Sequence, residues 1–174
     1  MRDLVFYDLE KRVSFDFEIP FYGRYVDDTF LIVPKDEVNL ILETFNNYHE
    51  RINFTMEIER DNKINFLDME LTRNDSNGSI ISNWYKKKTY SGRLRNFLST
   101  YPMHHKIGVI KTLVDKAIIN NKAHPNFHKN NLKKVKKILL LNNYPKKFID
   151  FHVNKRVNYI TSTENNSISN NINS

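Results

Sequence analysis

The dominant hydrophobic pattern of this chain changes close to Trp84. Before that residue, most apolar and aromatic side chains stand in short runs or alternate with polar ones, which is typical of β-hairpins. After it, apolar residues recur at helical spacing, as they do between Ile107 and Ile118, which indicates amphipathic helices. The chain is therefore predicted to be an α+β protein, with hairpins in its first part and helices in its second.

The first part contains a run of aromatic and β-branched residues that is interrupted by two acids. This run predicts two strands, residues 22–26 and 29–33, joined as a hairpin with Asp27 and Asp28 at its tip. A helix is expected over residues 36–48, where apolar residues repeat at helical spacing. The other elements predicted here are a short helix at residues 4–9, a second hairpin over residues 54–71 and a strand over residues 80–84.

The second part is expected to form three helices. The first spans residues 107–118, and the next two, residues 131–141 and 145–156, are separated by a break at residues 142–144. The last two helices have the length and the break of a helix-turn-helix. The final residues, 159–174, are rich in Ser, Asn and Thr, so they are expected to form a disordered polar tail.

The net charge of +7 hides a division along the chain. Residues 1–75 hold 9 Lys and Arg against 17 Asp and Glu, which gives −8, whereas residues 76–149 hold 16 Lys and Arg against one acid, which gives +15. Such a one-sided surplus repels itself unless a polyanion neutralises it, so nucleic acid is the expected partner. An acidic protein or a membrane surface is the alternative.

The composition excludes several classes of protein. The chain contains no cysteine, which excludes a disulfide framework, a thiolate zinc site and a cysteine nucleophile. No run approaches the roughly 20 apolar residues that cross a bilayer, and the N-terminus lacks the pattern of a secretory signal. We therefore expect a soluble, intracellular and nuclear protein that does not span a membrane.

Asp27 and Asp28 are the candidate residues for chemistry. Two adjacent carboxylates repel each other unless a cation lies beside them, and Mg²⁺ prefers such hard oxygen ligands. Phosphoryl transfer to a polymer end uses two metal ions roughly 3.5–4 Å apart, which carboxylates hold. The alternative is that the Asp-Asp pair is only a favourable turn dipeptide between two strands.

The sequence around these acids resembles a known enzyme family. The segment Tyr25-Val26-Asp27-Asp28, which Arg24 precedes, resembles the metal-binding YxDD box of reverse transcriptases. The succession of later segments is similar to that of the Penelope-like retroelements of animals, and these segments are residues 53–59, 66–68, 84–90, 96–102 and 105–110. The resemblance extends over about residues 1–157.

The resemblance implies that the chain is the C-terminal fragment of a retrotransposon's RNA-directed DNA polymerase, a nucleotidyltransferase. Residues 1–95 would form part of the palm, and residues 96–158 a helical, thumb-like lobe with the helix-turn-helix. Asp27 and Asp28 would be the catalytic residues and the ligands of Mg²⁺. The earlier palm Asp, the Gly-rich nucleotide pocket and the fingers would lie on a missing N-terminal part, so this chain is expected to be inactive alone.

The implied partner is nucleic acid, either an RNA template with a DNA primer or duplex DNA. The residues expected to contact it are Tyr25, Lys86, Lys87, Lys88, Arg93, Arg95, Lys106, Lys133, Lys134, Lys136 and Lys137. Two interpretations of the helical part stay open: a thumb that tracks the backbone, which the resemblance favours, and a helix-turn-helix that reads DNA. In the second interpretation, the chain is a non-catalytic nucleic-acid-binding protein derived from such an element.

Overall fold

The structure, a computed structural model, describes residues 2–87 and 89–172, with side chains over residues 6–87 and 89–163. It contains five α-helices and five β-strands within the described residues. This mixture of helices and antiparallel strands confirms the predicted α+β class. The chain divides into two compact units, Met1–Leu67 and Asp68–Ser174.

The first unit is built around a hairpin and two helices. Its elements are α1 (Arg2–Asp16), β1 (Phe21–Tyr25), β2 (Asp28–Ile32), α2 (Val38–Asn47) and β3 (Lys63–Phe66). Its core consists of Leu9 and Val13 from α1 packed with Ile41 and Phe45 from α2. Helix α1 extends beyond the predicted residues 4–9 because its apolar residues continue at helical spacing and remain buried as far as Val13.

Part of the predicted second hairpin does not form. Residues 54–59 are not a strand, and at their start the backbone of Phe54 bonds to a side chain rather than to a neighbouring strand. Its N–H donates to the side-chain oxygen of Asn46 (2.6 Å), and its carbonyl oxygen accepts from the Asn46 amide (3.2 Å). The side chain of Asn46 thus satisfies backbone groups that a strand partner would otherwise pair.

The second unit begins with an antiparallel pair, β4 (Met69–Arg73) and β5 (Ile80–Trp84). A turn over residues 74–79 connects them, and Gly78 adopts a φ of +68° there, which costs little because glycine has no Cβ. The N–H of Asn74 donates to the carbonyl oxygen of Ser79 at 2.8 Å and closes the turn. Trp84, at the end of β5, is buried in the core of the helices that follow.

Three helices complete the second unit, namely α3 (Met103–Ile118), α4 (His128–Leu141) and α5 (Lys146–Ile172). Two short 3₁₀ turns, Ile119–Asn121 and Pro125–Phe127, connect α3 to α4. One core joins the three helices, formed by apolar residues that recur at helical spacing: Ile110, Val114, Val135, Leu139, Ile149 and Val153. The spacing that predicted three helices in this part of the chain therefore also predicted the faces that pack.

A tight turn links α4 to α5. Asn143 adopts a left-handed φ of +63° just beyond the end of α4. Its N–H donates to the carbonyl oxygen of Leu140 (3.1 Å), and the N–H of Tyr144 donates to that of Leu139 (3.2 Å). This pair of bonds is a Schellman motif, which satisfies the last carbonyls of α4. Pro145 follows, and α5 begins at once.

Helix α5 continues to Ile172, whereas residues 159–174 were predicted to be a disordered tail. Ile160 is buried in the helical core, so the packed part of α5 already extends into the predicted tail. Beyond it, Thr161, Ser162 and Thr163 bond to carbonyl oxygens one turn back. Adding a residue to a formed helix costs the conformational entropy of that one residue and gains one hydrogen bond, whereas starting a helix costs the entropy of several residues for one bond. A polar sequence can therefore continue a helix that is already nucleated. In the part of the chain that is described, no helix is sufficiently long and apolar to cross a membrane.

Candidate nucleic-acid interface

The two acids that the sequence singles out lie at the tip of the first hairpin. Tyr25 pairs with Asp28 at the end of the ladder, which leaves Val26 and Asp27 as a two-residue loop. All four side chains are exposed. The predicted exposed hairpin tip is confirmed, but its strands begin and end one residue earlier than predicted, so Val26 lies in the loop and Asp28 begins β2. The catalytic role of the two acids stays a prediction.

Val26 adopts a backbone conformation that β-branched residues rarely occupy. Its φ is +57°, in the left-handed region, where the side chain crowds the backbone. Two-residue hairpin loops require a positive φ because it matches the twist of the strands, and Gly or Asn usually supplies it. The loop therefore holds strain of a kind that clusters at functional sites.

Arg24 connects this loop to α1. Its guanidinium donates to the carbonyl oxygen of Val26 (3.3 Å) and forms an ion pair with Glu10. Glu10 also accepts a hydrogen bond from the hydroxyl of Tyr22 (3.2 Å). Burial, followed by the charge of Glu10, raises the pKa of Tyr22 to about 12, so this hydroxyl keeps its proton at neutral pH. These bonds restrain the loop in its strained conformation.

A pair of metal ions needs more ligands than the hairpin tip supplies. Asp27 and Asp28 offer two carboxylates, and Mg²⁺ prefers a near-octahedral set of oxygens. The described residues contain no group of three or more His, Cys, Asp or Glu side chains that could hold a metal ion. The residues of this part of the chain therefore do not fit a complete two-ion site.

In the second unit, Asn142 anchors the segment that precedes α3 to the turn after α4. Its side-chain oxygen accepts the N–H of Leu94 (2.8 Å), and its amide donates to the carbonyl oxygens of Gly92 (2.7 Å) and Ile138 (2.8 Å). Its own carbonyl oxygen accepts the N–H of Phe97 (3.0 Å). The segment thereby becomes a fixed part of the helical unit, although it contains no helix or strand.

The two acids among residues 103–163 are both paired with cations. Asp115 on α3 accepts hydrogen bonds at 2.7 and 2.8 Å from the guanidinium of Arg156 on α5. Asp150 on α5 lies 2.6 Å from the ammonium group of Lys136 on α4. These hydrogen bonds raise the pKa of Arg156 and hold the pKa of Asp150 below its ordinary value. Lys136, which was predicted to contact nucleic acid, instead joins α4 to α5.

The other lysines of α4 and α5 are exposed to solvent. On α4 these are Lys129, Lys133, Lys134 and Lys137, and on α5 they are Lys146, Lys147 and Lys155. Val135 and Leu139 turn one face of α4 into the core. The lysines of α4 stand outside that buried face, where they are accessible to a polyanion.

Three more predicted contact residues are engaged within the protein. Lys106 is only 7% exposed, and its ammonium group donates to the backbone carbonyl oxygen of Ser99 at 2.8 Å, so this lysine has a partner within the protein and its contact with nucleic acid stays a prediction. The guanidinium of Arg95 lies 4.1 Å from the ring centre of Tyr101. The ammonium group of Lys86 lies 3.6 Å from the ring centre of Tyr90. These partners lie within seven residues along the chain, but a count of charges does not show which cations they engage.

The remaining predicted contact residues are exposed where they are described. These are Tyr25, Lys87, Arg93, Lys133, Lys134 and Lys137. Lys88 lies outside the described residues. Their exposure permits contact with a nucleic acid, and the contact itself stays a prediction.

The part of the chain that matches a known family lies within the second unit. Residues 93–154 match the family model of the animal helix-turn-helix domain. The helix-turn-helix predicted in this part of the sequence is thus confirmed. No curated protein and no solved structure matches the chain. We call residues 93–154 the helix-turn-helix region; it includes α3, α4 and the first part of α5.

Two features of the helix-turn-helix region are absent from the sequence-based site. Lys129 was omitted, although it stands four residues before Lys133 and helical spacing would have found it. The sequence predicts Asn142 only as part of the break between two helices. Its bonds join positions 48 and 50 residues apart, for which a single sequence carries no local signal.

Proposed function

We propose that the helix-turn-helix region binds nucleic acid. The match of residues 93–154 to an animal helix-turn-helix domain carries this proposal, since many such motifs dock on DNA. The region holds 13 Lys and Arg against two acids, Asp115 and Asp150. Both acids are paired with cations of the same chain, so they do not neutralise the other Lys and Arg side chains. The remaining positive charge attracts phosphates.

The test is the salt dependence of binding. Fluorescence anisotropy of a labelled DNA duplex and of an RNA–DNA hybrid would give the affinity of the full chain between about 50 and 200 mM salt. Each phosphate contact contributes about −0.9 to the slope of log K against log salt, so three contacts predict a loss of about 40-fold over this range. Binding that is absent at low salt, or that salt does not weaken, would overturn the proposal.

An acidic protein is the alternative partner, and competition separates the two. Polyglutamate of matched total charge should displace the labelled duplex far less well than an unlabelled duplex does, because it carries fewer charges per unit length than a duplex, which has one per about 1.7 Å, and so releases fewer counterions. Equal displacement by the two competitors would show a general polyanion surface and would argue against nucleic acid as the partner.

As a second function, we infer that the first unit is part of the palm of an RNA-directed DNA polymerase similar to those of Penelope-like retroelements. The exposed acid pair beside a strained loop favours this, since backbone strain clusters at functional sites. In a complete polymerase, Mg²⁺ would stabilise the charge that develops during phosphoryl transfer. Asp27 and Asp28 would contribute ligands to it, and Arg24 and Glu10 would hold their loop in position.

Primer extension tests this second function. The chain alone should show no extension, since the described residues supply no third ligand beside Asp27 and Asp28. Fusion to the fingers and first palm strands of a reverse transcriptase should restore Mg²⁺-dependent extension. Asp27→Asn should abolish the restored activity, whereas Asp16→Asn, which changes an exposed acid of the same unit, should leave it unchanged. A fused chain that binds duplex but never extends a primer would contradict the assignment.

A further inference from the structure

We propose that α4, and not α5, carries the main contact with nucleic acid, through the α4 lysine row formed by Lys129, Lys133 and Lys137. This inference rests on the proposed binding of nucleic acid by the helix-turn-helix region. It departs from the usual arrangement of the motif, in which the second helix of the pair enters a groove and the first crosses the backbone. The exposed side chains of the two helices carry the inference.

The α4 lysine row has a regular geometry. Its members are exposed and stand four residues apart, so they lie on one side of the helix, about 6 Å apart along its axis. The whole row spans about 12 Å, the length over which one strand of a duplex presents three or four phosphates. Lys134 is exposed beside the row and adds to its charge. The row can therefore follow one strand of a duplex with successive ammonium groups.

The outward face of α5 has a different composition. The side opposite the buried residues of this helix carries Lys147, Phe151, Asn154, Lys155 and Asn158, and Phe151 is 61% exposed. Only two of these five side chains are cations. Between Lys147 and Lys155, the exposed residues are neutral or apolar, so α5 lacks a continuous row of charge.

The guanidinium that α5 contributes is also directed inward. Arg156 donates two hydrogen bonds to the carboxylate of Asp115 on α3. Arginine is the side chain that most often reads guanine, because its fork bonds two acceptors at once. Asp115 already binds this guanidinium. We therefore expect more contacts to phosphates than to base edges, and binding that depends little on the base sequence.

Two triple variants with equal loss of charge test the inference in the full chain. Lys129→Ala, Lys133→Ala and Lys137→Ala remove the α4 lysine row, and Lys146→Ala, Lys147→Ala and Lys155→Ala remove the exposed lysines of α5. At about 0.1 M salt, the α4 variant should bind a DNA duplex at least roughly tenfold more weakly and flatten the salt slope by up to about 2.7. The α5 variant should change affinity by less than about threefold.

Each other result overturns the inference in a different way. Equal losses would mean that total charge, and not its placement, governs binding. A larger loss for the α5 variant would restore the second helix as the contact element. Absence of binding by the unaltered chain would instead contradict the proposed function itself, so the two failures are distinguishable.

Two further variants exclude trivial explanations. Lys136→Ala removes a lysine of the same helix that Asp150 holds, and it should leave affinity almost unchanged. Replacement of the α4 lysine row by arginines preserves charge and should retain binding. Far-ultraviolet circular dichroism of each variant shows whether α4 is intact. If the alanine variant loses both helix and binding, the arginine variant decides. Weak binding by a folded arginine variant would then refute the inference.

Discussion

Asn142 joins the segment that precedes α3 to the end of α4 through one side chain. Its amide pairs the N–H of Leu94 and the carbonyl oxygens of Gly92 and Ile138, and it is 6% exposed. Asn142→Ala leaves buried backbone groups without partners, so we expect the free energy of unfolding to fall by about 2–4 kcal/mol. Urea titration followed by the fluorescence of Trp84, which is buried in the same unit, measures this loss.

The neighbouring residue provides the control. Asn143 is exposed and has a φ of +63°, a conformation that glycine adopts readily. Asn143→Gly should leave the free energy of unfolding unchanged or raise it by up to about 1 kcal/mol. A loss as large as that of Asn142→Ala would show that the backbone of the turn, and not the amide of Asn142, holds the preceding segment.

Single residues were predicted well where their role is local and poorly where it depends on distant partners. The hairpin tip at Asp27 and Asp28 follows from the turn chemistry of adjacent residues, and the structure places both acids there. The sequence predicts that Lys106 and Lys136 contact nucleic acid. A carbonyl oxygen and Asp150 hold them, and neither contact is encoded in the local charge pattern.

At the scale of elements, the ion pair between Lys136 and Asp150 links α4 to α5. The hydrogen bond from Lys136 is the main cause that lowers the pKa of Asp150, so the folded state binds this proton less readily than the unfolded state. The stability that the pair contributes is present above the unfolded pKa, near 4, and is lost as pH falls through the folded pKa. Asp150→Asn should therefore destabilise the protein at about pH 6 and have little effect near pH 2.

Urea unfolding of wild type and Asp150→Asn at both pH values measures this difference. The effect should be small, because the pair is partly exposed and solvent screens it. Lys136→Ala should reproduce the loss at about pH 6. A difference between wild type and Asp150→Asn that is the same at both pH values would show that the ion pair does not contribute.

Helical periodicity predicted the elements that bury one regular face. Helices α3, α4 and α5 form where apolar residues recur at helical spacing, because burial of that face stabilises them. The same reasoning underestimated α1 and the end of α5. In α5 the polar residues after Ile160 extend a helix that packing has already nucleated, and composition alone does not show this.

At the scale of the whole molecule, the two units have separate cores. Val13 belongs to the core of the first unit and Val114 to that of the second, and both are fully buried. We therefore expect unfolding in urea to deviate from a single two-state transition. Trp84, the only tryptophan, should report the second unit alone, whereas far-ultraviolet circular dichroism should report both.

A matched pair of core variants tests this separation. Val13→Ala and Val114→Ala delete the same atoms from sites of equal burial, and each should cost its own unit about 2–3 kcal/mol. Val114→Ala should lower the midpoint of the Trp84 fluorescence transition. Val13→Ala should leave that midpoint in place and shift only part of the circular dichroism signal. If Val13→Ala moves the fluorescence midpoint as far as Val114→Ala does, the two cores unfold as one cooperative unit, and the division of the chain at Leu67 does not describe its energetics.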